Sequence, residues 1–482
     1  MGFADSDQTP IIENLVVGGG PCGLGAAWRL QELGRPWLLL ERDDEVGGLA
    51  RSFVDASGFT WDIGGHVLFS HYGYFDDLMR RLFDESQWLT HQRECWVRLR
   101  DRWVPYPFQY NLRHLPPEDQ MRCLLGLLEV ARQGSPRPPE NFHQWIVATF
   151  GPGLADIFML PYNFKVWAYP PEQLACGWVG ERVAVTDLAQ VLRNLVYQRD
   201  EASWGPNNVF RFPARGATGA IWRACADRLP QDRLHRNCGV TAIDLDRREA
   251  TTSAGRKFRF ERLISTMPLV ELCRLARRDD WQRQALRLKH SATHVVGLGI
   301  RGKVPAELAT KCWIYFPEDN SPFYRVTVFS NYSPHNTPPA QGLWSLLAEV
   351  SESPCKPVRR DTVVEEVVSG LLQTGLLDAP DRIVSRWQHR VEYGYPTPCR
   401  NREAILPELL EGFQKRGVYS RGRFGAWKYE VGNMDHSFMQ GVEVAEYLCT
   451  GRPEATLYSP SSVNAGSMKD WPTVVPQTKG VS

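Results

Sequence analysis

The sequence predicts an α/β protein with three parts: a discontinuous Rossmann-like nucleotide-binding domain, an inserted α-helical domain and an antiparallel β-sheet domain. Three observations carry this. A glycine-rich turn, Val16-Val17-Gly18-Gly19-Gly20-Pro21-Cys22-Gly23-Leu24-Gly25, follows an apolar strand-like run and opens a helix-like run, Ala26-Ala27-Trp28-Arg29-Leu30. A second apolar run, Leu38-Leu39-Leu40, ends on Glu41 one βαβ unit later. Far downstream, Leu263-Ile264-Ser265-Thr266-Met267-Pro268 reads as a last strand of the same domain, to which the chain returns.

The first two observations together are the context that a dinucleotide fingerprint requires. Gly18 permits the tight turn, Gly20 lets backbone approach a pyrophosphate, and Gly23 lets the helix pack on the strand. The helix N-terminus then faces the anion. Glu41 is placed to hold a ribose hydroxyl.

The elements follow in order. Residues 10–45 read β-turn-α-β, and residues 46–80 are glycine-rich. The stretch 93–104 alternates around Arg100-Asp101-Arg102 and reads as a hairpin. Residues 117–200 carry Leu, Ala and Glu at helical spacing, interrupted by a loop from Gly134 to Pro139. Residues 203–219 read as turn-rich, and 239–266 as short strands. Thr293 to Ile300, Trp313 to Phe316, Tyr324 to Phe329 and Trp344 to Val350 suggest an antiparallel sheet. Residues 361–373 read as an amphipathic helix and 383–391 as a strand. A last helix runs to about residue 448, with Asp435 as its expected N-cap. The expected domains are 1–90, 206–290 and 420–482 for the nucleotide domain, 111–205 for the helical insertion, and 91–110 with 291–419 for the sheet domain.

Composition bounds the function. The 482 residues, 43% hydrophobic and 23% charged, are ordinary for a globular protein of several domains. A net charge of +1 advertises no face for nucleic acid, so an anionic substrate needs local arginines. The eleven cysteines are scattered, with no C-x-x-C and no His/Cys ligand cluster, so no metal is expected. No apolar run reaches the ~18 residues of a membrane span. Met1-Gly2-Phe3-Ala4-Asp5-Ser6 fits the short myristoylation pattern, but one acyl chain anchors only marginally. The expected location is cytoplasmic, without stable membrane association. A homo-oligomer is compatible with the sequence. No G-x-S-x-G, H-E-x-x-H or P-loop supports a hydrolase or kinase.

Glycine-containing elements at 18–25, 46–51 and 432–438 lie at both ends of the chain. They suit one long dinucleotide, which favours FAD over NAD. Other polar clusters stand out: Gly180-Glu181-Arg182-Val183, Phe323-Tyr324-Arg325, and Tyr315, Tyr395 and Tyr429 in aromatic, Gly/Pro-adjacent segments. Arginine and tyrosine together donate to phosphate without acting as bases. Taken singly, each arginine reads as a salt-bridge residue and each tyrosine as a core aromatic. Tyr106-Pro107-Phe108-Gln109 offers an aromatic face beside an amide, and Pro161-Tyr162-Asn163-Phe164-Lys165-Val166-Trp167 reads equally as a ring-stacking surface or a helix-packing motif.

Several longer motifs resemble the eukaryotic-type UDP-galactopyranose mutases. They are Gly64-Gly65-His66-Val67-Leu68-Phe69-Ser70-His71, the 161–167 segment, Trp204-Gly205-Pro206-Asn207, Phe212-Pro213-Ala214-Arg215-Gly216 and Gly425-Ala426-Trp427-Lys428-Tyr429-Glu430-Val431-Gly432-Asn433. The likeness runs from about residue 12 to 450. It implies a flavoenzyme without net redox, in which reduced FAD attacks the anomeric carbon through N5 and UDP leaves and returns. NADPH or NADH is the implied reductant.

The resemblance also implies roles. Arg182 and Arg325 would clamp the pyrophosphate, with Tyr315, Tyr395 and Tyr429 as further donors. Tyr106, Phe108, Gln109 and Asn163 would surround the uridine, and Trp167 would line the substrate pocket. Asn207 and the Arg182 segment would close over substrate. Gly64, Gly65 and His66 would form the turn beside flavin N5, with His66 more a positioning residue than a proton shuttle. Arg423 and Asn433 would contact flavin or phosphate. Gly48, Leu49, Val240, Gly432, Met434 and Ser437 complete the expected cofactor-facing set.

The chain departs from that pattern at four places, one of them the segment near 335–343, which is shorter than in fungal members. Cys95 stands for a serine beside Arg93, where the family receives NADPH. Tyr110 stands where asparagine is common. The segment Asn464-Ala465-Gly466-Ser467-Met468 matches nothing assignable. The alternatives are an amine-oxidase-type oxidoreductase or a mutase for a related nucleotide sugar.

Overall fold

The computed structural model describes residues 10–133, 138–202, 205, 208–339 and 342–470. The N-terminal acylation pattern, most of the 134–139 loop and both Trp204 and Asn207 lie outside the described residues.

Strand β1 (Ile12–Val17), helix α1 (Pro21–Glu32) and strand β2 (Trp37–Leu40) form the expected unit. β1 pairs in parallel with β2 and with strand Lys257–Ser265, Val17 standing beside Leu40 and Ser265. Val418–Ser420 and Leu234–His235 extend the parallel sheet on its two sides. The β1 and β2 sequences are near-continuous apolar runs because helices cover both faces. Val16, Leu39 and Ile264 face one core, packed under α1 and helix Met434–Thr450. Leu15, Val17, Leu40 and Leu263 face the other, under helices Leu269–Leu275 and Arg402–Gln414.

The two helices on the first face cross very closely. A Cβ on Gly25 would strike the Phe438 carbonyl, and one on Gly441 would strike the Cys22 carbonyl. The start of α1 thus lies against the middle of the second helix, two turns beyond its N-terminus. Gly441→Ala is therefore expected to push the helices apart, cost at least the ~1–3 kcal/mol of an overpacked core and reduce flavin content. Denaturant unfolding and the protein-to-flavin absorbance ratio check this.

The second sheet has the order 383–396, 290–301, 343–352, 325–328, 313–315, 95–99, 102–105. It is antiparallel except where Trp313–Tyr315 runs parallel to Cys95–Leu99. Helix Val363–Gln373 covers one face, over Val296, Leu298, Val326 and Ala348. Strand alternation sends Arg325, Thr327 and Glu349 to the opposite face.

The helical part comprises Pro117–Gln133, Phe142–Leu154, Leu160–Trp167 and Leu188–Val196. Its core includes Phe142, Phe150, Phe158 and Trp167, and Tyr315, Tyr395 and Tyr429 pack against its rim. Among the described residues no helix is long and apolar enough to cross a membrane.

Several elements differ from expectation. The turn-rich 203–219 stretch contains strand Val209–Pro213, paired with Trp88–Gln92. The 383–391 strand continues to Pro396, carrying Tyr395 on its end. Asp435 is not an N-cap. Asn433 holds that position, and the Asp435 carboxylate instead accepts from the His71 backbone N–H at 3.0 Å and pairs with His71 Nδ1 at 2.7 Å. A long-range partner took the carboxylate away from the helix end.

Candidate functional site

Two long helices, packed against each other, begin without a side-chain cap. α1 begins with Pro21, has Gly20 at its N-cap, and carries no acid in its first turn and no side-chain cap. Helix Met434–Thr450 likewise lacks a side-chain cap, because Asn433 Oδ1 accepts from Arg182 Nη1 at 3.1 Å instead. In α1 the first-turn N–H groups after Pro21 thus remain for an anion, whereas the first turn of the second helix carries Asp435, whose carboxylate accepts from the His436 N–H. Gly48 abuts Gly20, where a Cβ would stand 3.3 Å from its Cα, so backbone rather than side chains lines this cleft.

Glu41 takes N–H donations from Gly19 and, at 2.9 Å, from Asp43. Burial raises its pKa. A carboxylate has about four lone-pair sites, so acceptor capacity remains for ribose hydroxyls. Val240 opens a strand two residues after Cys238, whose N–H donates to the Glu41 carbonyl at 2.7 Å. Leu49 is half-buried against the second core, while Met434 and Ser437 sit in the first turn of the last long helix. These groups fit a dinucleotide laid from the α1 turn toward the 432–437 turn.

The Gly64-Gly65-His66 turn lies against the second sheet. Gly64 has φ +100°. A Cβ on Gly65 would strike the Thr327 hydroxyl and the Trp313 ring. The turn is tethered by Gly65 N–H to Glu349 Oε1 (3.0 Å) and by Trp313 Nε1 to the Gly65 carbonyl (3.2 Å). His66 is pulled down to about 4 by burial, so its imidazole is neutral near pH 7. Its Nδ1 is buried with no hydrogen-bond partner, an opening for a polar ligand atom.

Facing this turn is an aromatic cluster. Tyr106 meets Tyr315 at 5.4 Å between ring centres, and Tyr315 meets Tyr162 at 5.3 Å. Tyr395 lies 5.9 Å from both Trp167 and Tyr429, and Trp167 lies 4.8 Å from Tyr429. Burial raises the pKa values of Tyr315 and Tyr395, so both hydroxyls keep their protons and can donate.

Three arginines border the cluster, and they differ in charge balance. Arg182 donates to Asn433 Oδ1 and, at 2.8 Å, to the Glu430 carbonyl, and stacks on Tyr429. Arg423 donates to the carbonyls of Gly432 and Gly394 and stacks on Tyr395. Among the described residues neither has a carboxylate partner. Burial lowers the Arg423 pKa, and the nearby Arg182 adds a smaller push in the same direction. Arg325 is different: Nε and Nη2 form a two-point pair with Glu349, each at 2.8 Å. The guanidiniums without carboxylate partners are Arg182 and Arg423, while Arg325 offers only its Nη1 edge, because a buried arginine demands compensation.

Other expected residues are anchored by contacts within the protein. Phe108 has no exposed surface and stacks 4.5 Å from Phe158, so it packs the wall. Trp167 is 1% exposed and backs Tyr429 edge-on. Asn163 spends its Nδ2 on the Met159 carbonyl one helical turn back. Gln109 donates to the Ala184 carbonyl at 2.5 Å, and Tyr110 donates to Val185 at 2.7 Å. These bonds tie the Arg182 segment to the Tyr106 segment, while Gln109 Oε1 stays buried and unpartnered. Cys95 is buried, with its thiol pushed up to about 12, and is not a thiolate.

Glu349 escaped sequence reasoning. Its one signal is a lone carboxylate inside the apolar run Leu346-Leu347-Ala348-Glu349-Val350. The grouping of His71, Asp435 and His436 is not legible in the sequence; their donor atoms lie within 4.8 Å of one another. Asp435 already holds His71 twice, and the two imidazoles stack 4.5 Å apart, so hydrogen bonding accounts for the group.

The comparisons with known proteins agree with this geometry. The flavin containing amine oxidoreductase family matches residues 21–449. A crystal structure of reduced UDP-galactopyranose mutase superposes with TM-score 0.91 at 48% identity, covering 94% of this chain and 99% of that one. Cyclohexylamine oxidase from Brevibacterium oxydans shares the fold alone, with TM-score 0.64, 15% identity and coverage of 92% and 99%. Among curated proteins, 15-cis-phytoene desaturase of Glycine max is 33% identical over 79 residues, which is 16% of this chain and 14% of the desaturase.

Proposed function

The chain belongs to the flavin containing amine oxidoreductase family and, within it, to the UDP-galactopyranose mutases; from that premise we propose that it interconverts UDP-galactopyranose and UDP-galactofuranose with reduced FAD and no net redox change. The observation that carries this is the pair Arg182 and Arg423, cationic and without carboxylate partners, set among tyrosine hydroxyls beside the 64–66 turn. An amine substrate would meet like charge there. A diphosphate supplies the missing anion.

FAD, which the Gly18–Gly23 turn, Glu41 and the 64–66 turn would hold, would supply a nucleophile for the anomeric carbon. What the chain's own side chains do follows from their placement. Arg182, Arg423 and the free edge of Arg325 hold the diphosphate as its charge grows, and fixed donors are worth most where charge develops. Tyr315, Tyr395 and Tyr429 add hydroxyl donors. Tyr106, Gln109 and Asn163 receive the uridine end, and closure of the Arg182 segment excludes water. Neutral His66 holds the turn rather than moving a proton. NADPH or NADH delivers the reducing electrons.

Chromatography of UDP-sugars tests the reading. Dithionite-reduced holoenzyme should form the furanose from UDP-galactopyranose, and oxidised enzyme should not. No furanose from the reduced protein, with oxygen uptake on amines instead, overturns it.

A further inference from the structure

The C-terminal segment after the last long helix lies against the site, although its sequence matched no motif. Asn464 Nδ2 donates to the Glu430 carbonyl at 3.3 Å, and its Oδ1 pairs with His436 Nε2 at 2.9 Å. The same Glu430 carbonyl takes Arg182 Nη2. One peptide oxygen is thus shared by Asn464 and the cation proposed to hold the diphosphate. The Glu430 carboxylate is clamped from the other side by Arg402, through two bonds of 2.9 Å.

The segment grips a second element. The Met468 carbonyl accepts from Gly73 N–H, and Lys469 Nζ donates to the Ser70 carbonyl at 2.8 Å. A Cβ on Gly73 would strike the Lys469 carbonyl. Between these grips, His436 stacks on His71, and His71 is bonded to Asp435. The C-terminal segment therefore touches both the 429–433 turn, which bears Tyr429 and Asn433, and the loop that follows Gly64-Gly65-His66.

We infer that Asn464 is a positioning residue, acting through the Glu430 carbonyl to fix Arg182 and Tyr429 for the diphosphate. It touches neither substrate nor cofactor. Freed of Asn464, the Glu430 peptide oxygen loses one of its two side-chain donors, while Arg402 and Gln440 still hold the Glu430 carboxylate and the Val431 carbonyl, and the Arg182 guanidinium follows its acceptor. The inference rests on the diphosphate reading of the site.

The test is UDP affinity of the flavin-loaded protein, measured by calorimetry on wild type, Asn464→Ala, Arg182→Ala and the double variant. Asn464→Ala is expected to weaken UDP about 3- to 10-fold, the scale of one lost hydrogen bond, with flavin content unchanged. In the Arg182→Ala background the same substitution should add almost nothing, because coupled residues are non-additive. Asn464→Asp keeps the acceptor for His436 but loses the donor to Glu430, and should weaken UDP as alanine does. Unchanged affinity in Asn464→Ala, a fully additive double variant, or failure of both single Asn464 variants to fold overturns the inference. Wild type that does not bind UDP refutes the diphosphate reading itself.

Discussion

Arg182→Ala is expected to lower kcat/KM for UDP-galactopyranose about 100- to 1,000-fold, the ~2.7–4 kcal/mol scale of removing one preorganised donor from a developing anion. The loss should fall on kcat as well as KM, because the diphosphate carries more charge once the sugar has left. Lysine at this position restores charge but not the two-point fork that reaches Asn433 and the Glu430 carbonyl. Arg182→Lys should therefore recover UDP binding better than turnover. Steady-state kinetics with reduced enzyme, alongside UDP titration, separates the two. An Arg182→Ala enzyme with wild-type kcat/KM would remove Arg182 from the diphosphate site.

Glu349 carries the second large effect. It is 2% exposed and binds Arg325 twice, the Tyr324 hydroxyl at 2.6 Å and the Gly65 N–H. Glu349→Gln removes one partner of a buried pair and should cost about 3–5 kcal/mol of stability. Arg325 and Arg182 would then both lack a compensating charge. Added UDP should accordingly stabilise Glu349→Gln more than it stabilises wild type, since a ligand stabilises by its affinity for the folded state. Denaturant unfolding with and without UDP measures this. Equal stabilisation of the two proteins would mean that the Arg325 guanidinium lies outside the ligand's reach. Turnover should fall as well, because the 64–66 turn depends on the same carboxylate.

The elements that show in the sequence are those governed by local chemistry. The βαβ unit is legible because three glycines, an apolar run and a closing acid lie within one short window. The second sheet is legible because its strands are strongly apolar. Strand Val209–Pro213 is not, because proline and glycine flank it and its partner Trp88–Gln92 lies far away in sequence. Helix Arg402–Gln414 is hidden by Pro407 inside it.

The site divides the same way. Arg182, Arg423 and the tyrosines stand out by residue type. Whether each cation is already compensated does not, since Glu349 reaches Arg325 across adjacent strands and Asp435 reaches His71 across 364 residues. Charge balance is a tertiary property. Among the described residues it pairs Arg325 with Glu349 and leaves Arg182 and Arg423 without carboxylate partners.

The central claim is that the flavin holds the sugar while these cations hold UDP. Mixing dithionite-reduced holoenzyme with UDP-galactopyranose and cyanoborohydride, then weighing the extracted flavin by mass spectrometry, tests it most directly. The account predicts a flavin heavier by one hexose unit, formed only in the reduced enzyme and depleted in Arg182→Ala. Furanose formation with flavin of unaltered mass would contradict it.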